Sequence, residues 1–410
     1  MANTNVTIDM VTREALRVAH ETCQFIGTAD RQYDDSFAKT GGKVGASLRV
    51  RKPNQYTRTQ GSRVMDVQDQ NESTSTITVA TQDHVDMRFN SAELALSIDE
   101  LSKRYIEPAV KTLVSGIEAD FLAYATKATY NVAGTAGTAI TDLSPIGLAR
   151  AKLNQGLAPK DGNRFVQADS VTMSGMVNGL KGLFQDSSQI KEQYREGMMG
   201  RTGGVDWYEN DRVWSFTHTD DVTAASNAAA GVTDGGNLIK IYTDLAIAKQ
   251  TVGTVFTVAG VYACHPETKT ALPSLQQFVI TAVEPSTTGT TVSPAIYMTG
   301  ARKNVCSVSG ADLTSASFNS KTLTFVGVAS ATYVQPLVYH KDAFQFISAD
   351  LPIMDDAAKC VRRTQDGLSM RVWQASDIRN DELLMRIDIL YGFAALRPEW
   401  ACRMIGAANA

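Results

Sequence analysis

The stretch DMRFNSAELALSIDELSKRYIEPAVKTLVSGIEADFLAY, residues Asp86 to Tyr124, decides the fold. It opens on a short strand, Val85 to Phe89, and then carries the strongest helix signal in the chain. Ser97-Ile-Asp-Glu100 is a capping box: Ser97 can accept from the Glu100 amide while the Glu100 side chain reaches back. Pro108 lacks an amide donor and crowds the preceding turn, so a kink or restart is expected at Glu107-Pro108. Beyond it Val110, Leu113, Val114, Ile117, Phe121 and Tyr124 keep helical spacing. The spacing predicts a helix of about 30 residues, about 45 Å long at 1.5 Å per residue. Few compact domains need such a helix; it reads as a spine.

Upstream, residues 10 to 27 show the period of an amphipathic helix, with Leu16, Ala19, Cys23 and Ile26 recurring at steps of three and four. Glycines 41, 42 and 45 break the pattern. In Ser47 to Lys52, Leu48 and Val50 alternate with Arg49 and Arg51, and a returning strand is expected at Thr74 to Ala80. These strands define a hairpin arm that carries Lys43, Arg49, Arg51, Lys52, Arg58 and Arg63 against Asp66, Asp69 and Glu72. A two-stranded hairpin is marginal by itself and needs a neighbour to lie on.

Downstream, Ser144 to Gly156, Thr172 to Phe184 and Gln189 to Glu196 read as helices around an extended Arg164-Phe-Val166. Near the end, Leu383, Met385, Ile387, Ile389 and Tyr391 alternate with Leu384, Arg386, Asp388 and Leu390, the pattern of a strand with one buried face. Between these parts the composition shifts. From Asp221 to Val338, 118 residues hold only 12 of the chain's 82 charges, together with 18 threonines. Short strands are expected at Leu238–Tyr242, Val255–Val261, Phe278–Val283, Val292–Tyr297 and Leu323–Val328, separated by turn clusters. That rhythm indicates a small all-β barrel or sandwich inserted into another domain.

At about 150 residues per domain, 410 residues make two or three domains. Lys and Arg total 39 against 43 Asp and Glu, a formal charge of −4, which argues against a DNA-coating protein. The five cysteines include no C-x-x-C pair, so reduced thiols in a cytoplasmic protein are expected. The first 20 residues lack the basic and apolar segments of a secretory signal, and no run of 18 apolar residues offers a spanning helix.

The chemical inventory is thin. No phosphate-binding loop, dinucleotide fingerprint, H-E-x-x-H, calcium loop or nucleophile elbow occurs. Ser188-Gln-Ile-Lys191 fits S-x-x-K without any companion motif. Gly200-Arg-Thr-Gly-Gly204 reads as a tight turn rather than an anion nest. The five histidines have no i, i+4 pair, and Asp66, Asp69 and Glu72 read as a solvated edge or partners for a neighbouring subunit rather than a cation site. The arm has only Tyr56 among its basic residues, which does not suit single-strand binding by stacking. No catalytic, cofactor-binding or metal residue is assigned.

Four passages carry a resemblance: Asp86 to Ala109, GRTGGVDWYEN at Gly200 to Asn210, GTVFTVAGVYACHPETK with LQQFVIT in the insert, and RIDILYGFAALRPE at Arg386 to Glu399. With the order of parts, they resemble the major capsid protein of tailed bacteriophages with the Hong Kong 97-type fold. The chain is most similar to the insertion-bearing coat proteins of short-tailed Salmonella-type podoviruses.

The resemblance implies an α+β fold with an N-terminal arm over 1–40 and an extended loop over 41–80. A peripheral domain with the spine helix follows over 81–127. The axial domain is implied in two parts, 128–220 and 339–375, around an inserted barrel-like β domain over 221–338, and strands over 376–410 return to the peripheral domain. It also implies self-assembly of hexamers and pentamers into an icosahedral shell. A procapsid would form in the host cytoplasm around scaffolding protein, and DNA would enter through a portal. The members that crosslink use a loop lysine; Lys43 and Lys52 match in position only, and no crosslink is expected. Subunit contacts are expected from Arg49, Arg51, Lys52, Arg58, Arg63, Asp66, Asp69 and Glu72 on the arm. The alternatives are an encapsulin-like bacterial compartment and a hydrolase with an unrecognised site.

Overall fold

In the computed structural model the spine begins with a wide π turn, Ser102–Ile106, and runs as an α-helix over Glu107–Ala128. The structure describes residues 8–31, 46–61, 64–70, 72–90, 102–180, 200–217, 226–229, 232–242, 251–283, 290–328, 330–353, 359–365, 367–377 and 382–407. The Ser97–Glu100 box, Ser188, Lys191 and the Gln189–Glu196 segment lie outside these residues. The restart expected at Pro108 is present, and proline sits in the first α-turn, where its missing donor costs nothing. The regular part is 22 residues, shorter than the unbroken helix the spacing predicts. Its buried stripe is Val110, Leu113, Val114, Ile117, Phe121, Leu122 and Ala125, whereas Tyr124, expected on that stripe, is exposed. At 3.6 residues per turn, Leu122 and Ala125 occupy the core-facing rows that flank Phe121.

The chain forms two compact units. The first comprises Met1–Val50, Thr74–Phe121 and Phe344–Leu396. Its sheet runs Asp30–Arg31, Phe344–Ala349, Glu382–Ala395, Leu368–Asp377, Lys359–Gln365, with Thr81–Asn90 also paired to Glu382–Ala395. Phe121 anchors this unit, with its ring 4.6 Å from Phe25, 5.8 Å from Phe346 and 5.3 Å from Phe393. Burial of each such ring contributes roughly 1.5–3 kcal/mol. The N-terminal helix, expected as one piece, is two: Ile8–Thr22 and Phe25–Thr28. The reason is Glu118, fully buried, whose Oε1 accepts the amides of Gln24 at 3.1 Å and Phe25 at 2.5 Å. A carboxylate at that point satisfies the free donors of a new helical start.

The strand Glu382–Ala395 departs from the predicted one-sided pattern, because Ile387 to Tyr391 are buried on both faces. Asp388, read as an exposed position, is fully buried opposite Arg371 in register. It accepts from Arg371 Nε at 3.0 Å and Nη2 at 2.5 Å, and from Gln82 Nε2 at 3.0 Å. Farther along the same face, Leu390 and Ala394 pack with Ile77, Val79, Ile347 and Leu351. Gly392 makes this approach possible: a Cβ there would overlap the Thr78 carbonyl oxygen and lie 3.0 Å from Val79 Cα. Gly392→Ala is therefore expected to destabilise the subunit by about 2–3 kcal/mol, the overpacking range, with backbone rather than side chain as the obstacle. A urea unfolding midpoint equal to the parent's would reject this.

The second unit comprises Arg51–Ser73, Leu122–Ala343 and Arg397–Ala410. A mixed sheet runs Val132–Ala133, Ala401–Met404, Leu337–His340, Arg164–Ala168, Val205–Glu209, Arg201–Thr202, accompanied by helices Ser144–Gln155 and Ser170–Leu180. Gly203 and Gly204, both at positive φ, make the two-residue turn between the last two strands, as the spacing predicts. The low-charge segment forms antiparallel strands paired in the order Ala271–Val283, Thr290–Ile296, Gly236–Tyr242, Ser226–Ala229, Lys321–Phe325, Val255–Cys264. Val255–Cys264 pairs back onto Ala271–Val283, so the ladder closes and leaves these strands no free edge. Phe256, Phe278, Ile239, Ile280, Ile296 and Leu323 fill its interior.

Arg403 joins the parts of this unit. Fully buried, it donates from Nε to Thr129 O and from Nη1 to Gly253 O and Gln335 Oε1, each at 2.9 Å. Burial pulls its pKa down to about 9. Gln277 adds a second tie: its Oε1 accepts the Val132 amide at 2.9 Å and its Nε2 donates to Val132 O at 3.2 Å.

Buried His340 is held as one tautomer, because Nδ1 accepts the Asp342 amide at 3.2 Å and Nε2–H reaches Asp161 Oδ1 at 3.0 Å. The Asn163 backbone amide, helped by the Asn163 side chain and His340, holds the Asp161 carboxyl well below the usual carboxylate range. A depressed acid pKa contributes stability above the unfolded value of about 4 and loses it as pH falls toward the folded value. Asp161→Asn is thus expected to lower stability modestly at neutral pH and to flatten the acid limb below about pH 4, so that the two proteins converge in acid. Parallel curves for the two proteins would refute it.

Candidate subunit-contact arm

The arm is built from the strands Ala46–Arg51 and Thr74–Val79, which pair in a two-stranded sheet. Alternation puts Leu48, Val50, Ile77 and Val79 on one face, and these pack into the cluster around Leu390. The root therefore has a core of its own, which relieves the marginal stability of a bare hairpin. Beyond the strands, Lys52 N–H donates to Ser73 O at 2.8 Å and continues the pairing. Gln68 then substitutes for a strand residue: its Oε1 accepts the Thr57 amide at 2.8 Å and its Nε2 donates to Thr57 O at 2.6 Å. Thr59 Oγ1 donates to Asp66 Oδ2 at 2.7 Å nearer the tip. Backbone groups that cannot form a regular ladder are satisfied by side chains.

The expected contact residues divide in three ways. Arg51 and Glu72 form an ion pair at 3.3 Å, both well exposed, a geometry worth little in water. Arg58 donates to Gln60 at 2.8 Å and Asp66 holds Thr59, so both serve the arm's own shape. Arg49 and Asp69 are exposed and Lys52 is half-buried at the arm's root, whereas Arg63 and Lys43 lie outside the described residues. Among the described residues the structure does not gather these charges into one cluster.

Charge counting missed the apolar tip. Val64, Met65 and Val67 are 79%, 84% and 78% exposed, and Tyr56 is 55% exposed. The signal was legible as V-M-D-V in an otherwise polar loop. Large exposed apolar side chains grouped on one loop mark an interaction surface. Among the described residues no cluster of His, Cys, Asp and Glu suits a metal ion, and no helix is long and apolar enough to cross a membrane.

The profile of the family described as "P22 coat protein, gene protein 5" matches residues 41–406, most of the chain. No curated relative matches it. Among solved structures, the chain is similar to one from Mycobacterium phage Che8, with 11% identity over 93% of this chain and 90% of that one, TM-score 0.47. The mature capsid of bacteriophage PhiM1 is similar at 13% identity over 94% and 88%, TM-score 0.45. The capsid of Ralstonia phage GP4 is similar at 8% identity over 93% and 86%, TM-score 0.43.

Proposed function

The chain belongs to the P22 coat protein family and is a tailed-phage major capsid protein, and from this premise we propose how its parts build the shell. Membership brings with it the α+β, Hong Kong 97-like class, a place in the virion shell, self-assembly and a structural role. It favours a phage head over the encapsulin-like compartment. The family match over residues 41–406 is the observation that carries this conclusion.

The arm seats on a neighbouring subunit through Tyr56, Val64, Met65 and Val67, while Arg49, Arg51, Lys52, Arg58, Arg63, Asp66, Asp69 and Glu72 set its register. Its exposed apolar tip supports the first half of this reading, and its mixed charge the second. Residues 221–338 act as an insertion that divides an axial domain, 128–220 with 339–375, and their closed ladder and low charge support that reading. Residues 1–40, 41–80, 81–127 and 376–410 serve as N-terminal arm, extended loop, spine-bearing peripheral domain and returning strands. The shell assembles in the host cytoplasm with a separate scaffolding protein and fills with DNA through a portal, in the manner of short-tailed Salmonella-type podoviruses. A net charge of −4 suits an enclosure that holds DNA without gripping phosphate, and the protein works without catalysis.

Two arm variants test this. With scaffolding protein present, the parent chain should give closed shells by negative-stain microscopy. Deletion of the arm beyond its paired strands, residues 54–70, should leave folded subunits by circular dichroism but no shells, and Met65→Asp with Val67→Asp should cut shell yield at least tenfold. Normal shells from either variant would defeat the arm assignment.

A further inference from the structure

The second unit contains a cavity of about 390 Å³. Its walls come from the helix Ser144–Gln155, the strand Ala271–Val283, the Tyr297–Asn304 turn and the Arg397–Trp400 segment, with Lys52 to Gln55 at its rim. This is the junction between the closed ladder and the mixed sheet, the kind of place where ligand sites form. Its charge is lopsided. Lys52, Lys152 and Arg397 line it, none with a carboxylate partner among the described residues, while Glu399 is the one acidic residue in the lining. Lys303, also in the wall, is neutralised by Asp312 at 2.5 Å. A chain whose net charge is −4 thus concentrates uncompensated cations in one concavity.

Two of these cations are held in place. Lys152 Nζ donates to Ser274 Oγ at 3.1 Å, and burial lowers its pKa, so its ammonium sits half out of water with a hydroxyl as its partner. The Arg397 guanidinium lies 4.2 Å over the Trp400 ring, and Trp400 is itself fixed by Nε1–H to Gly156 O at 2.8 Å. A guanidinium stacked on a ring keeps its in-plane donors for a second group, with the fork geometry that suits phosphate oxygens. An apolar or neutral occupant would leave these charges unanswered, and a single carboxylate would answer one of them. The volume lies at the small end of ligand pockets, roughly 300–1,000 Å³, which suits a compact, multiply charged anion.

We propose that this cavity is a binding site for a diphosphate-bearing small molecule, with Lys152 and Arg397 as its principal ligands and Lys52 closing it from the arm's root. Occupancy would tie the helix Ser144–Gln155, the C-terminal segment and the start of the arm through one anion. It requires no shell, since all the residues belong to one unit of one chain.

Isothermal titration of the full-length chain with pyrophosphate, at ionic strength held constant with sodium chloride, tests the site. Saturable binding of one pyrophosphate per chain and a raised melting midpoint are expected. Lys152→Gln with Arg397→Gln should weaken binding at least tenfold, and Glu399→Gln should tighten it severalfold. If the double variant misfolds, Lys52→Gln at the rim should still weaken binding about threefold, in line with loss of one partly exposed charge contact. A parallel titration with ADP distinguishes a diphosphate group from a whole nucleotide: equal or tighter binding than pyrophosphate agrees with the proposal. No saturable binding of pyrophosphate, binding of ADP alone, or unchanged affinity in the variants would overturn it.

Discussion

Arg403→Met is expected to lower subunit stability by about 3 kcal/mol, because methionine fills the space of the stem but supplies none of the donors. Three buried acceptors, Thr129 O, Gly253 O and Gln335 Oε1, would lose their partner together. Each unsatisfied buried acceptor costs about 1–3 kcal/mol, offset in part by no longer desolvating a cation. The first effect should win, since the three acceptors lie on separate segments that no single rearrangement can pair. Arg403→Lys, which keeps one donor, should recover about half of the loss. The readout is urea unfolding, with hydrogen exchange to locate the damage. Loosening should centre on Thr129, Gly253 and Gln335, where the closed ladder and the mixed sheet meet. A midpoint unchanged in Arg403→Met would show that Gln277 and Val132 hold that junction alone.

Asp388→Ala should cost still more, about 3–5 kcal/mol, the usual penalty for leaving a buried charge unpaired. Arg371 would remain buried at 4% exposure and, among the described residues, would keep only the Pro352 carbonyl, at 2.7 Å, to receive its protons. Gln82 would lose its acceptor as well. The asymmetry is the test. Replacing both partners with apolar residues, Arg371→Met with Asp388→Leu, removes the desolvated charges along with their attraction, and such swaps are often neutral or stabilising. The double variant should therefore be more stable than Asp388→Ala by at least about 2 kcal/mol. Equal stability of the two would mean that the carboxylate serves packing rather than charge.

Much of this was legible in the residues. The spine was readable because a stripe of apolar side chains at 3.6-residue spacing fits a helix and cannot fit a strand, whose side chains alternate, and Pro108 marked its α-helical start. The arm was readable from Leu48 and Val50 alternating with arginines, and the short strands of the closed ladder from turn clusters in a charge-poor segment. The subunit-contact residues were less legible. Charge drew attention to Arg51 and Glu72, which pair with each other, and away from Met65 and Val67, whose exposure on the tip no local pattern reveals. A hydrophobic residue in a loop can turn in or out, and only its surroundings decide.

By itself the sequence marked most of the elements, the charge-poor segment and the family, because periodicity, proline, glycine and composition are local properties that survive without coordinates. The tertiary structure alone decided which polar residues are buried. Asp388, Glu118 and Arg403 look like surface residues in the chain, yet each is sealed inside by partners 17 to 274 positions away. The same is true of the cavity, whose lysines and arginine come from segments unrelated in sequence. Burial of a charge depends on groups that meet it in space, and a one-dimensional pattern carries no record of those meetings.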